Sequence, residues 1–401
     1  MIELLNLLPN PDMSCNSLKG SIHISKEGHV KPCCYFKDLG PHQKYWRIDS
    51  NTSNINSLDN IVDSYEWNNF VSPNPSCEYC IIEEANNMYS LRHHWNEKIA
   101  PDTNKLQYLE LALDFTCNMM CRICGPQQSS RWNSSSVLKN MREEFSMSED
   151  ISYTKTKGSK EYTKNIKRIL SNSDLSDLKE VTLIGGEPLY SKNLPWFIDL
   201  IKQQEHWKDI KITIITNGSL VPKSNMFVGF KEVQIDVSLD AVGDLATATR
   251  MKVSWEIIDA NIRKMIKLYK VSIHSTVSLL NCNKMQPLID YFYTLDPLPV
   301  DHTFSVLQTP YHQAVTLIPK EYRLQWITSH LEVNNILAME YHENLDEVCR
   351  FLRATEILDA ESEIPYRDAN PEIVEIMEEL VKNYKSDDKY SEINTSMLNK
   401  E

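Results

Sequence analysis

The chain has 401 residues, a formal charge of −13 at pH 7, 41% hydrophobic residues and 24% charged ones. That balance fits a soluble globular protein, and the acidity weighs against general binding to nucleic acid, which needs a basic footprint. No apolar run has the length of a membrane span, and the opening MIELLNLLPN lacks the basic region and cleavage site of a secretory signal, so the expected location is the cytoplasm.

Ten cysteines in a chain of this size, with no visible secretory signal, do not read as a disulfide framework. Eight of them, Cys15, Cys33, Cys34, Cys77, Cys80, Cys117, Cys121 and Cys124, fall before residue 125. That crowding favours metal ligation over scattered core thiols. Glycine is scarce, ten in all, so its positions are informative.

Residues 1–100 form a cysteine-rich front section. Ser21–Ile24 and His29–Lys31 read as short strands around a Lys26-Glu27-Gly28 turn, with Gly28 where φ > 0 is needed. Cys33-Cys34 follow directly. A polar connection over 49–60 leads to a helical pattern from Ile61 to Phe70, then to Pro73-Asn74-Pro75. Cys77-Glu78-Tyr79-Cys80 opens a further helical segment toward Trp95. Thiols at C-x2-C are a strong ligand spacing, and four such thiols suit a tetrahedral zinc as well as an iron–sulfur cluster. His93, His94 and Trp95 read as local packing.

From about Gln107 the pattern is α/β. Strand-like apolar runs occupy 107–115, 180–184, 210–215, 232–239, 271–279 and 301–306, with helical periodicity over 165–171, 194–204, 255–268 and 285–293. Active sites of parallel barrels collect at the C-terminal strand ends. The first strand runs into Cys117, Cys121 and Cys124, spaced C-x3-C-x2-C on one loop. Three thiolates can hold a metal or cluster. A [4Fe–4S] cluster takes four, so three would leave one iron open, a mark of catalytic rather than structural metals. A structural zinc loop or redox thiols are the other readings of the triplet.

The later strand ends carry polar and glycine-rich turns. Gly185-Gly186-Glu187-Pro188 suggests close backbone approach to a ligand, or a turn before a helix begun by proline. Thr216-Asn217-Gly218 also reads as a common turn. Ser238 and Asp240 end the fourth strand, where Asp240 reads equally as a helix cap. Arg250 reads equally as a solvated arginine, and Asn281 is a lesser candidate. The insertion 127–176 includes Lys155–Arg168, with six basic residues against one acidic, a solvated face, a lid or a dock for an acidic partner. Helical stretches over 319–337, 345–358 and 371–384 would close the open side of the barrel or cover the front section. Cys282 and Cys349 read as buried inert thiols, and the tail Ser386–Glu401 as disordered.

The cysteine loop, the GGEP at 185–188 and the TNG at 216–218 resemble the radical S-adenosylmethionine (SAM) superfamily. The resemblance implies a partial (β/α)6 TIM-like barrel and a [4Fe–4S] cluster on Cys117, Cys121 and Cys124, its open iron chelated by the amino and carboxylate groups of SAM. It implies SAM contacts from Gly185, Gly186, Glu187, Pro188, Asn217, Ser238, Asp240 and Arg250. Ile123 stands where an aromatic residue often lies against adenine. In front, C-x12-G-x4-C followed by C-x2-C resembles the start of a SPASM/twitch module, which usually follows the barrel and here precedes it. It implies one auxiliary [4Fe–4S] cluster on Cys15, Cys33, Cys77 and Cys80, with Cys34 as an alternative ligand.

The organisation expected is an auxiliary-cluster module over 1–100, a barrel over 101–310, a helical segment over 311–385 and the tail. The activity implied is reductive cleavage of SAM to a 5′-deoxyadenosyl radical, which takes hydrogen from a peptide, protein or small metabolite. A reductant such as flavodoxin or ferredoxin is implied as partner. The residues name no catalytic acid or base. The competing class is a non-enzymatic zinc- or cluster-binding protein on a barrel scaffold. A nucleic-acid substrate would need the 155–168 patch.

Overall fold

Strands form where β-branched and apolar residues alternate or run together, and all six expected strands are present within three residues of their expected ends. The computed structural model describes residues 14–25, 28–36, 48, 55–64, 67, 77–85, 89–101, 103, 105–126, 128–145, 156–307 and 309–385. In chain order the strands are β1 (Ser21–Ile24), β2 (Val30–Lys31), β3 (Tyr108–Ala112), β4 (Met120–Cys121), β5 (Glu180–Ile184), β6 (Lys211–Thr216), β7 (Glu232–Ser238), β8 (Arg250–Met251), β9 (Lys270–Val277) and β10 (His302–Val306). The fold is α/β with a mostly parallel central sheet. Among the described residues no helix is long and apolar enough to cross a membrane.

The chain divides into two compact units. The first comprises Met1–Thr116, Tyr153–Ile214 and Lys223–Val233. In it β3 pairs in parallel with β5, and β5 with β6. On its other side β3 pairs in parallel with β1, Leu109 opposite Ile22 and Leu111 opposite Ile24. The front section therefore contributes a strand to this sheet. β1 turns back into antiparallel β2 through Gly28 at φ 81°, as expected, with Lys26 and Glu27 outside the described residues. The helix Leu194–Lys202 buries Leu194, Phe197, Ile198 and Ile201, the i, i+3, i+4, i+7 stripe of a helix with one apolar face.

The front helices are shorter than expected. Asp59–Val62 is helical, and the rest of the pattern toward Phe70 lies largely outside the described residues, as do Pro73-Asn74-Pro75 and the tail. The segment toward Trp95 is two helices, Glu78–Ala85 and Leu91–Lys98. Ser90 starts the second. Its hydroxyl accepts the His93 N–H while its own N–H donates to His93 Nδ1 at 3.1 Å, a reciprocal cap that gives His93 a structural role. The basic stretch is the helix Thr156–Ser171, which buries Tyr162, Ile166, Ile169 and Leu170. Arg168 and Lys167 are already engaged, Arg168 donating to the Ile55 carbonyl at 2.9 Å and Lys167 lying over the Trp196 ring.

The second unit comprises Cys117–Ser152, Ile215–Pro222 and Gln234–Glu401. Here β7, β9 and β10 run in parallel, Ser238 opposite His274 and His274 opposite Thr303. A parallel strand covered on both faces is apolar throughout, but these alternate. Ile235, Val237, Val271, Ile273 and Val277 are buried, while Gln234, Asp236, Ser238, Ser272, His274, Thr276, Thr303 and Ser305 share the other face at least partly exposed. Two helices after the sheet, Leu345–Asp359 and Pro371–Lys385, match the expected pattern. The expected helix over 319–337 is instead two pieces, Lys320–Arg323 and Leu331–Leu337. Asn334 breaks it by accepting the Thr328 N–H at 2.8 Å and donating to the Thr328 carbonyl at 2.9 Å, a side-chain competition with helical bonding. Cys282 and Cys349 are buried in this unit, and burial pushes the Cys282 thiol up to about 12.

Candidate functional site

The loop after β3 is held by its neighbours on either side. Ser130 lies within hydrogen-bond reach of the Cys117 N–H (3.1 Å), Ser129 donates to the Met119 carbonyl at 2.6 Å, and the Trp132 indole donates to the Cys121 carbonyl at 3.3 Å. The insertion thus begins by bracing the cysteines. Cys121 itself is in β4, paired antiparallel with Arg250 in β8. Cys117 and Cys121 are buried and Cys124 is half-buried. The Cys121 thiol lies within hydrogen-bonding reach of Cys124, and that contact together with burial raises it well above the usual thiol range. Cys117 Sγ faces the Met119 N–H at 3.4 Å and the Asn217 amide at 3.7 Å.

Asn217, expected at SAM, lies against this loop. It donates to Asn118 Oδ1 at 3.1 Å, and its own oxygen accepts the Ser219 N–H at 2.9 Å. Asp240 and Arg250 form a buried pair at 2.6 Å. The second Asp240 oxygen accepts the Thr276 N–H at 2.8 Å, so both oxygens already have protein partners. Burial pulls the Arg250 pKa down, but Asp240, Cys121 and Cys124 together outweigh it and raise it, keeping the guanidinium charged beside the thiols. Its Nε is buried and has no hydrogen-bond partner among the described residues. The solvated reading of Arg250 is therefore wrong. Asn281 is 1% exposed and bonds the Asp240 and Thr276 carbonyls at 2.7 and 2.9 Å, which makes it a staple between strand ends. Ser238 stands on the polar face, and Ile123 is half-exposed.

In the first unit the Gly185-Gly186 pair is needed for the chain's own backbone. Gly185 has φ +130°, and a Cβ there would sit 2.5 Å from the Asp114 carbonyl oxygen. A Cβ on Gly186 would sit 2.5 Å from the Thr116 carbonyl oxygen. Glu187 is 1% exposed, caps the turn by accepting the Leu189 N–H at 3.0 Å, and donates its own N–H to the Thr116 carbonyl at 2.8 Å. Pro188 begins that turn. This segment thus sets the backbone of Thr116, the residue before Cys117.

The front cysteines converge. Cys15, Cys33, Cys77 and Cys80 line one cavity of about 400 Å³, open mouth included, with Tyr35 and Arg92 among its other walls. Cys34 is exposed and does not line it. Burial raises Cys15 and Cys33 and pushes Cys80 up to about 11, although the Arg92 N–H donates to the Cys80 sulfur. Cys15 Sγ lies 3.0 Å from Ser17 Oγ. Arg92 is held by Glu84, with Nε to Oε1 at 2.9 Å, and Ser90 donates to the same carboxylate at 2.5 Å. Four soft donors facing one cavity, with hydrogen-bond donors aimed at sulfur, fit an iron–sulfur group. Among the described residues no three His, Cys, Asp or Glu side chains lie close enough together to grip one metal ion.

Residues 115–284 match the family model of the radical SAM superfamily. This stretch of the chain is similar to the radical SAM superfamily. Curated relatives include the GTP 3′,8-cyclase of Aliarcobacter butzleri (strain RM4018), 28% identical over 141 residues, covering 34% of this chain and 36% of that protein. The GTP 3′,8-cyclase of Staphylococcus epidermidis is 26% identical over 250 residues, 59% of this chain and 65% of that one. The matches thus span between a third and two thirds of those relatives. Among solved structures, anSMEcpe with bound AdoMet gives a TM-score of 0.35 at 16% identity, covering 63% of this chain and 59% of that chain. Streptococcus suis SuiB bound to S-adenosylmethionine gives 0.33 at 14%, covering 64% and 48%. The stretch so matched holds the three-cysteine loop, both glycines of GGEP, Asn217, Ser238, Asp240 and Arg250. The thiol cavity and everything after Lys284 lie outside it.

Proposed function

We propose that the chain is a radical SAM enzyme acting on a polar substrate, with an auxiliary iron–sulfur centre in its front section. Cys117, Cys121 and Cys124 would hold the [4Fe–4S] cluster and leave one iron for SAM. When bound, that cluster supplies the electron for reductive cleavage of SAM, after which hydrogen is taken from the substrate. The observation that carries the reading is the braced loop itself: Cys121 and Cys124 within reach of one another beside a charged, buried Arg250. Arg250 keeps positive charge next to the cysteine sulfurs, and its Nε, without a partner among the described residues, is a donor for a carboxylate such as that of SAM. Asp240 orients it.

The polar face of β7, β9 and β10 supports a substrate rich in hydrogen-bonding groups. His274 bonds Thr303 at 2.8 Å and Ser305 at 3.0 Å, and Gln234 donates to Asp236 at 2.8 Å. A peptide, a protein or a polar metabolite presents such groups. The curated relatives are named for GTP, which makes a nucleotide the second reading. Cys15, Cys33, Cys77 and Cys80 would hold the auxiliary [4Fe–4S] cluster, with Cys34 left out. A reductant such as flavodoxin or ferredoxin completes the system.

Anaerobic reconstitution tests this. About eight iron and eight sulfide per chain, with 5′-deoxyadenosine released from SAM under dithionite, is the expected result. Bound zinc without SAM cleavage would replace the proposal with a structural metal protein.

A further inference from the structure

Arg122 lies inside the cysteine loop, between Cys121 and Cys124, yet it is 2% exposed. Its N–H donates to the Thr249 carbonyl at 2.9 Å and its Nε to the Ala248 carbonyl at 2.8 Å. Its carbonyl accepts the Gln313 amide at 2.9 Å. The guanidinium lies 5.5 Å from the centre of the Tyr366 ring and pairs with Asp359, the last residue of the helix Leu345–Asp359. Asp359 is itself fixed, accepting the Tyr366 N–H at 2.7 Å and the Arg367 N–H at 3.2 Å. The Tyr366 hydroxyl donates to the Leu280 carbonyl at 3.0 Å.

Apolar packing follows the same route. Met120, next to Cys121, is buried in one cluster with Met251, Trp132, Val137, Leu138, Met141, Ala354 and Leu358. Gln313, Ala354, Leu358, Asp359 and Tyr366 all lie beyond residue 284, where the family match ends. The expectation for these helices was to close the barrel or cover the front section. Within their own unit they back the cysteine loop.

We propose that the helix Leu345–Asp359 and the turn carrying Tyr366 clamp the cluster loop, with Arg122 as the positioning residue and Asp359 as its counter-charge. The proposal rests on the reading that this loop holds the SAM-binding cluster. A buried arginine between two ligands of one cluster controls the loop backbone on which both are carried. Partners of metal ligands orient them, and losing such a partner typically costs about 10- to 100-fold in metal affinity. Loss of an ion pair that only stabilised the fold would lower the unfolding midpoint without touching the cluster.

The test uses the full chain, reconstituted anaerobically, as wild type, Arg122→Lys, Asp359→Asn and Arg323→Lys. Arg323 is the control: also buried, in the C-terminal part that carries Asp359, and bonded to the Ile318, Leu337 and Met339 carbonyls instead of the loop. Three quantities are read: iron per chain after desalting, the change SAM makes to the electron paramagnetic resonance spectrum of the reduced protein, and the thermal midpoint of the iron-free protein. The SAM-dependent change reports on an iron with an open position, so an auxiliary cluster does not mask it. Arg122→Lys and Asp359→Asn should weaken loop-cluster retention about 10-fold and shrink the SAM-dependent signal, while Arg323→Lys keeps both. Should Asp359→Asn fail to fold, Arg122→Lys decides, since it keeps the charge and loses only the planar fork. Wild-type iron and a wild-type SAM response in Arg122→Lys overturn the clamp alone, whatever the midpoint does. A wild type that takes up no iron overturns the underlying reading and the clamp with it.

Discussion

Cys117, Cys121 and Cys124 come from one short loop, whereas Cys15, Cys33, Cys77 and Cys80 are drawn from far apart in the sequence to one cavity. Both sets have a buried arginine–carboxylate pair beside them, Arg250–Asp240 for the loop and Arg92–Glu84 for the cavity. The arginines are used differently. Arg92 is a wall of the thiol cavity, and its backbone N–H bonds Cys80. Arg250 keeps a buried donor next to Cys121 that is unused among the described residues. A site whose every thiol faces inward suits a closed centre, and a three-thiol loop with a spare donor nearby suits one that takes a further ligand. Spacing therefore tells less about a cluster's role than the groups set around its ligands.

The largest effect should come from the ligands. Cys121→Ser should abolish SAM cleavage and lower iron from about eight to about four per chain, while Cys77→Ser removes a similar amount and leaves cleavage standing. Iron analysis with chromatography of 5′-deoxyadenosine checks both, and equal loss of cleavage in the two variants would erase the distinction. Next come the ion pairs. Arg250→Met and Arg92→Met each strand a buried carboxylate and should cost about 3–5 kcal/mol in urea unfolding of the iron-free protein. A large cost at one site alone would show that only one pair is structural.

Gly186→Ala should cost about 1–3 kcal/mol, because its Cβ would meet the Thr116 carbonyl oxygen at 2.5 Å. It should also lower SAM cleavage by shifting the start of the cysteine loop, while the front cluster's iron stays; unchanged cleavage would mean the loop tolerates the shift. The last effect is one of pH. Burial holds His302 and His312 down to about 4, below the ordinary histidine value near 6.5. Between those limits the unfolded chain binds more protons, so stability is full above about pH 6.5 and falls as pH drops toward 4. Each histidine contributes at most about 1.4 kcal/mol per pH unit. Thermal midpoints from pH 7 to 5 should fall, and less steeply in His302→Gln; an identical slope in that variant would remove His302 from the account.

Legibility followed sequence distance. The six strands were readable because each is a short stretch in which apolar residues run together or alternate with polar ones, and Met285–Tyr293 was found at its expected bounds. The C-x3-C-x2-C loop was equally local. The role of Arg122 was not, because its partner Asp359 lies 237 residues further on and an arginine in a polar loop usually points to water. The glycine pair was expected to let a ligand approach the backbone, whereas the neighbours the fold shows there are the Asp114 and Thr116 carbonyls. Asp240 and Asn281 were noticed for their strand-end positions, and only the fold shows them bonded to Arg250 and to backbone carbonyls. The grouping of the four front thiols was implied by the C-x12-G-x4-C and C-x2-C pattern, and the fold adds the shared cavity with Tyr35 and Arg92 in its walls.

Because β1 lies alongside β3, the front section cannot be trimmed like an appendage. A chain cut back to residue 101 would bare the hydrogen-bonding edge of Tyr108–Ala112, an apolar strand with no charge or proline to fend off other strands on that side except Glu110. Such an edge recruits other molecules, so a shortened version should cluster into aggregates instead of giving a lean catalytic core.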